Sequence, residues 1–151
     1  VMIDLDIIER GTIPAEWLDG MKAYASISDG SQDAWLRICL NRAVLTVQEK
    51  ADRSLVACTL RVSDEDAMGG VRLYQSVKDI VSVTDGKGVE HEFSQDGRMI
   101  YTMTEKAVVT YTTEPVQGDI DSLLMVVYQY ATALYDGQDS RTLASILEQC
   151  R

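Results

Sequence analysis

A single histidine is the side chain best suited to acid–base chemistry in this sequence. His91 lies between Glu90 and Glu92, in a segment that we predict to be a strand, and no other histidine is present. An imidazole titrates near neutrality, so His91 could act as a general base or could activate the thiol of Cys58. Cys58, however, belongs to the alternating apolar run at 56–62, which predicts a thiol that faces the core. We therefore interpret His91 as an exposed or hydrogen-bonded strand residue.

Three consecutive carboxylates could hold a hard cation. Asp64, Glu65 and Asp66 precede Gly69-Gly70 and offer the oxygen ligands that such ions prefer. They lack the alternating ligands and the terminal glutamate of an EF-hand loop, and a lone histidine excludes a two-histidine metal motif. A solvated acidic loop is the favoured interpretation, and cation binding stays open as the alternative. The sequence predicts no enzyme, and no catalytic, cofactor-binding or metal-ligating residue.

The composition predicts one acidic domain that spans residues 1–151. The chain has 151 residues, 46% of them hydrophobic, and its 24 Asp and Glu against 14 Lys and Arg give a formal net charge of −10. Such a charge opposes binding to phosphate backbones. The longest apolar stretch, 123–128, is too short to cross a membrane, and the unpaired spacing of three cysteines is typical of buried thiols in a reducing compartment. We expect a cytoplasmic origin and no membrane association.

Two long helices with strands between them are the predicted elements that position these side chains. Apolar residues at helical spacing predict helices at 33–50 and 120–135, and a shorter helix follows Pro14. Between the long helices, alternating apolar residues and Asp-Gly turns predict strands at 55–62, 71–74, 77–84, 89–93, 99–104 and 106–113. The predicted fold is α+β, a mainly helical domain with a small antiparallel β meander between two long helices, and with the helices on one side of the sheet.

The second long helix is apolar over a wider arc than one core face requires. Met125, Val126, Tyr128 and Tyr130 lie partly off its core stripe, and we predict that this arc is exposed. A last helix, capped by Asp139 or Ser140, would add a small apolar face. We predict that both surfaces contact other subunits or neighbouring proteins, because so much apolar surface rarely stays in water. The proposed interface residues are Met125, Val126, Tyr128, Tyr130, Leu143, Ile146 and Leu147.

The order of these elements resembles the head-to-tail connector (adaptor) proteins of tailed bacteriophages. The resemblance covers residues 12–137 and leaves 138–151 as a C-terminal helix or tail. The similar segments are 13–24 (IPAEWLDGMKAY), the helix at 33–50, the phrase VVTYT at 108–112, and the helix at 120–135 that follows it. The sequence departs from the family in the loop from Asp64 to Gly70 and in lacking a basic tail.

The resemblance implies a structural role. A connector would form a homo-oligomeric ring between portal and tail, with the portal protein and a head-closure or tail protein as partners, and DNA would pass through without specific binding. It would assemble in the bacterial host cytoplasm and end in the virion. One alternative is a head-closure or tail-completion protein. An alternative of another class is a small ligand-binding or hydrolytic domain, which would need a pocket with convergent polar groups.

Overall fold

The computed structural model describes residues 3–150, which divide into two compact units. The sheet unit comprises residues 3–11 and 56–115, and the helical unit comprises 12–55 and 116–150. The strands are β1 (Ile3–Glu9), β2 (Thr59–Asp64), β3 (Val71–Arg72), β4 (Val77–Thr84), β5 (Phe93–Asp96), β6 (Met99–Thr102) and β7 (Ala107–Thr113). The helices are α1 (Ala15–Tyr24), α2 (Asp33–Ala51), α3 (Gln117–Tyr135) and α4 (Ser140–Leu147), with short 3-10 segments at Ala67–Gly69 and Glu148–Cys150.

The sheet unit contains two antiparallel sheets. The larger has the strand order β1-β2-β7-β4, and the smaller has the order β3-β6-β5. Side chains alternate in burial along β7, and its inward residues pair with those of β2, as in Val62 with Val109 and Leu60 with Tyr111. All four of these side chains are fully buried, so the centre of the larger sheet forms the core of this unit.

The hydroxyl group of Tyr111 binds the irregular segment around Tyr74 to this core. The buried Tyr111 accepts a hydrogen bond from the Tyr74 amide at 3.0 Å and donates one to the Tyr74 carbonyl at 3.2 Å. The backbone N–H and C=O of Tyr74 are therefore both bonded to one side chain of β7, because a phenol hydroxyl can accept and donate at once.

The predicted meander between two long helices is wrong. Strand β1 precedes α1 and joins the larger sheet beside β2, and β7 lies between β2 and β4 rather than at the end of a run. The return strand predicted at 89–93 is also wrong, because only Glu90 bridges Thr84 before the chain leaves to form β5. The nearby turn at Gly97 pairs β5 with β6 instead, and this local hairpin belongs to the second sheet.

Several element bounds agree with the sequence prediction. Strand β4 has the predicted bounds, and α2 and α3 differ from theirs by one and three residues. The cap predicted for α4 is confirmed, because the Asp139 carboxylate accepts a hydrogen bond from the Thr142 amide at 2.9 Å. Helix α2 has Gln32 at its cap position, without a side-chain hydrogen bond. Asp33 pairs with Lys22 at 2.8 Å.

Helix α3 is the central element of the helical unit. It packs against α1, α2 and α4, so its buried residues include Val127 and Ala131 as well as residues outside the predicted core stripe. A close approach also brings α1 to α3, because a Cβ atom on Gly20 would overlap the hydroxyl end of Tyr128. None of the helices within residues 3–150 is long and apolar enough to cross a bilayer.

Candidate functional site

The lone histidine is part of a turn rather than a reactive pair. The Nε2 atom of His91 lies 2.8 Å from Oδ2 of Asp85, and the same carboxylate accepts hydrogen bonds from the amides of Lys87 (2.8 Å) and Val89 (3.1 Å). The His91 hydrogen bond, followed by these two amides, lowers the pKa of Asp85 to about 2. His91 is hydrogen-bonded, as predicted, but it lies outside any strand. The Nε2 atom of His91 bonds Asp85, and this hydrogen bond closes a turn. Because Cys58 is buried, His91 has no thiol nucleophile to activate there.

The three consecutive carboxylates are spread over different environments. Asp64 is buried at the end of β2, and its carboxylate accepts a hydrogen bond from the Asp66 amide at 2.8 Å. Glu65 and Asp66 are exposed. The solvated-loop interpretation is therefore wrong for Asp64, which acts as a turn-forming residue. Within residues 3–150, no group of three histidine, cysteine or carboxylate side chains is arranged to hold a metal ion.

The cysteines are small buried residues, as the sequence analysis interpreted them. Cys39, Cys58 and Cys150 are all free and buried. Burial raises the pKa of the thiols of Cys39 and Cys150, which disfavours the reactive thiolate. These positions contribute to packing.

The predicted apolar arc of α3 is exposed in part only. Met125 is 53% exposed, whereas Val126 and Tyr130 are 5% and 6% exposed, so the prediction of exposure is wrong for these two. Tyr128 is half-buried beside Gly20, and burial raises the pKa of its hydroxyl. In α4, Leu143, Ile146 and Leu147 are half-buried. Val126 and Tyr130 are buried because α3 packs against three helices, α1, α2 and α4, rather than against one.

Two exposed apolar surfaces were not predicted as interfaces. On α2, Trp35 and Ile38 are exposed one helical turn apart. On β1, Ile3, Leu5 and Ile7 share one face and are 49%, 37% and 43% exposed. Their period-two spacing was the signal that could have found this strand.

Two surface depressions test whether polar groups converge. One, of about 360 Å³, lies on the smaller sheet, and the other, of about 130 Å³, lies between the start of α1 and α2. The first is lined by two ionisable side chains, Glu92 and Tyr101, and the second by one, Arg37. An acid–base or nucleophilic mechanism needs at least two positioned groups. A third depression, of about 150 Å³ in the helical unit, is lined by Arg53, Asp119 and Cys150. There the Arg53 guanidinium lies 3.8 Å from the Asp119 carboxylate, and the raised pKa of the Cys150 thiol disfavours a nucleophilic thiolate.

No family model and no curated protein matches the sequence. Solved structures, however, match over its whole length. A chain in the neck of an empty gene transfer agent (GTA) particle, computed with C6 symmetry, gives a TM-score of 0.64 at 15% identity, covering 100% of this chain and 95% of that one. A chain in the virion of the native GTA particle gives 0.64 at 15% identity, with 97% and 94% covered. A chain in the neck of the native particle, computed with C12 symmetry, gives 0.57 at 15% identity, with 100% and 95% covered.

These matches establish the fold of the chain. It has the fold of chains from the neck and virion of a phage-like particle, and each match covers at least 97% of this chain and 94% of the other. The resemblance to head-to-tail connectors is confirmed at the level of the fold.

Proposed function

We propose that this chain is a structural protein of the neck of a phage or prophage particle, where it forms a ring adaptor between the portal and the tail. The observation that carries the proposal is the similarity in fold, along the whole chain, to neck chains of GTA particles computed with C6 and C12 symmetry. In this role the protein acts by binding and catalyses no reaction. Its partners are further copies of itself, the portal protein, and a head-closure or tail protein.

Ring formation requires two different surfaces on each subunit. A closed ring uses heterologous contacts, in which one patch of a subunit meets a different patch of the next. Suitable residues in the helical unit are Met125, which is exposed, and Tyr128, which is half-buried. The half-buried face of α4, formed by Leu143, Ile146 and Leu147, supplies a second candidate patch. Methionine and aromatic residues are enriched in such interfaces.

The charge of the chain suits a channel through which DNA moves. A formal net charge of −10 leaves few opportunities for lysine and arginine to release counterions from the phosphate backbone, so a wall made of this protein would not retain DNA. DNA would then pass the ring without specific binding. The particle would assemble in the host cytoplasm, and the protein would remain in the finished virion.

Co-expression with the portal protein tests the assembly. We expect native mass spectrometry and electron microscopy of the purified complex to show a closed ring of this chain on the portal. A chain that stays monomeric with the portal under all conditions would contradict the ring. Purified particles should also contain the chain at a fixed ratio to the portal.

A matched pair of substitutions tests the α3 surface. Met125→Glu should lower the fraction of chain assembled into rings about tenfold, because a carboxylate in an apolar contact costs at least about 1.4 kcal/mol. Met103→Glu is the control: it makes the same change at an exposed methionine of the sheet unit. Equal fractions of assembled chain for the two variants would show that Met125 does not lie in the interface.

A further inference from the structure

Strand β1 forms an open edge of the larger sheet. It pairs with β2 on one side, and no strand within residues 3–150 pairs with its other side. All seven of its residues are exposed. An edge of this kind presents backbone N–H and C=O groups at strand spacing, ready to bond another extended chain.

The apolar face of the sheet continues onto β1 without being covered there. Leu5 pairs with Val62, and Ile7 pairs with Leu60, so these side chains share one face. Val62 and Leu60 are fully buried, whereas Leu5 and Ile7 are 37% and 43% exposed. An added strand would place its own apolar residues beside Leu5 and Ile7 and would remove them from water.

The opposite edge of the same sheet is protected. The pairing of β4 with β7 has two register shifts, one between Val77 and Ile80 and one between Ile80 and Ser82. Near its end, the His91 amide bonds the Val83 carbonyl, which occupies part of that edge. Bulges and edge coverage are devices that prevent strand addition. Strand β1 has a regular register from Ile3 to Ile7, with a register shift only at its end, between Ile7 and Glu9, and it carries neither proline nor lysine.

Charge selects the partner of β1. Asp4 and Asp6 lie on the face opposite Leu5, and Asp6 has a basic neighbour, Arg61, at 3.2 Å. Antiparallel pairing of two β1 strands centred on Leu5 would place Asp4 opposite Asp6, and pairing centred on Asp6 would oppose the two copies of Asp6. Like charges opposite each other destabilise a strand pair, and pairing centred on Ile7, which avoids them, would place Leu5 opposite Glu9. A second copy is therefore a poorer occupant than a basic strand.

We propose that the outer edge of β1 binds an extended segment of another protein in which aliphatic residues alternate with lysine or arginine. The aliphatic side chains would lie beside Leu5 and Ile7, the basic ones would face Asp4 and Asp6, and main-chain hydrogen bonds would add the segment to the sheet. This inference does not depend on the neck assignment, because it rests on the geometry of the edge alone.

Titration with a synthetic peptide tests the proposal. The probe is a short peptide that alternates lysine with isoleucine or valine, and the readout is the amide chemical shifts of the intact chain. We expect saturable shifts in β1 and β2, weaker binding at higher salt, and no binding of the same peptide with N-methyl groups on alternate amides. Equal binding of the methylated peptide, or shifts confined to other elements, would overturn the proposal.

A charge substitution on β1, with a matched control on β4, shows which edge of the larger sheet binds the peptide. Asp4→Lys should lower the affinity for the peptide about fivefold, because one favourable cross-strand charge pair becomes unfavourable. Asp79→Lys makes the same change on β4, and binding should stay unchanged. An equal loss of peptide affinity in both variants would show that the peptide binds by general charge attraction, and this result would refute the proposal. Shifts in β1 that depend on protein concentration without peptide would assign the edge to a second copy, which also refutes it.

Discussion

Helix α3 and strand β1 carry their apolar residues in opposite situations. On α3, Val126 and Tyr130 extend the apolar surface beyond one stripe, and yet both are buried. On β1, Leu5 and Ile7 follow a simple alternation, and yet both are partly exposed. Helix α3 packs against three other helices, while β1 has one neighbouring strand in the part of the chain that the structure describes. The number of neighbours of an element, more than its own composition, decides how much of its apolar surface is covered.

The largest expected effect is a difference between two leucines. Leu36 of α2 is fully buried and Leu5 of β1 is 37% exposed. Leu36→Ala should lower the free energy of unfolding by about 2–5 kcal/mol, because it leaves a cavity, whereas Leu5→Ala should cost about 1 kcal/mol. Urea denaturation followed by circular dichroism measures both values. Equal losses would mean that β1 is covered in solution, and the comparison would fail.

The next largest expected effect is a difference in the free energy of unfolding between substitutions at two glycines. A Cβ atom on Gly11, which follows β1, would overlap the backbone oxygen of Ala57, whereas one on Gly20 of α1 would overlap only the end of the Tyr128 side chain. Gly11→Ala should lower the free energy of unfolding by about 1–3 kcal/mol, since two backbone segments must separate. Gly20→Ala should cost about 1 kcal/mol or less, because a side chain can move. A larger loss for Gly20→Ala would show that α1 and α3 are held more rigidly than the end of β1.

The smallest effect concerns the turn that covers part of the β4 edge. The pKa of Asp85 is about 2, below its ordinary value of 3.8, so the fold favours the ionised carboxylate. Its stabilising contribution is therefore complete above about 3.8 and is lost as the pH falls towards 2. His91→Ala removes the largest cause of the shift, so we expect the pKa of Asp85 to rise while assembly stays intact.

Carbon chemical shifts of the carboxyl groups, followed against pH, measure this change. Asp139 is the internal control, since the Thr142 amide lowers its pKa and no histidine is involved. An unchanged midpoint for Asp85 in His91→Ala would contradict the assigned hydrogen bond. Loss of assembly in a folded His91→Ala variant would contradict a purely structural role for the turn.

The long helices were predictable because their periodicity extends over many residues. The bounds of α2 and α3 follow from repeated apolar spacing, and such a signal needs no knowledge of distant segments. Strand pairing is a non-local property. The partner of Leu5 is Val62, and that of Val62 is Val109, so the order β1-β2-β7-β4 could not be read from alternation alone.

The candidate surface was predictable only in part, for a related reason. Sequence spacing placed Met125 and Val126 on the wide apolar arc of α3, but their exposure depends on how α1, α2 and α4 surround it. The β1 edge was missed although its alternation was present, because Ile8 interrupts the pattern and the strand precedes the helices. The spacing of apolar residues predicts which face of a helix or strand is apolar. Whether that face is exposed depends on the elements that pack against it in the tertiary structure.

The hydroxyl of Tyr111 has a consequence for hydrogen exchange. Tyr74 lies in an irregular segment, where an amide proton would ordinarily exchange with solvent within a short time. Its amide is bonded to the Tyr111 hydroxyl, and Tyr111 is fully buried in β7. Exchange at Tyr74 therefore requires that its bond to the Tyr111 hydroxyl break, so this loop amide should be protected more strongly than loop amides that bond only to water.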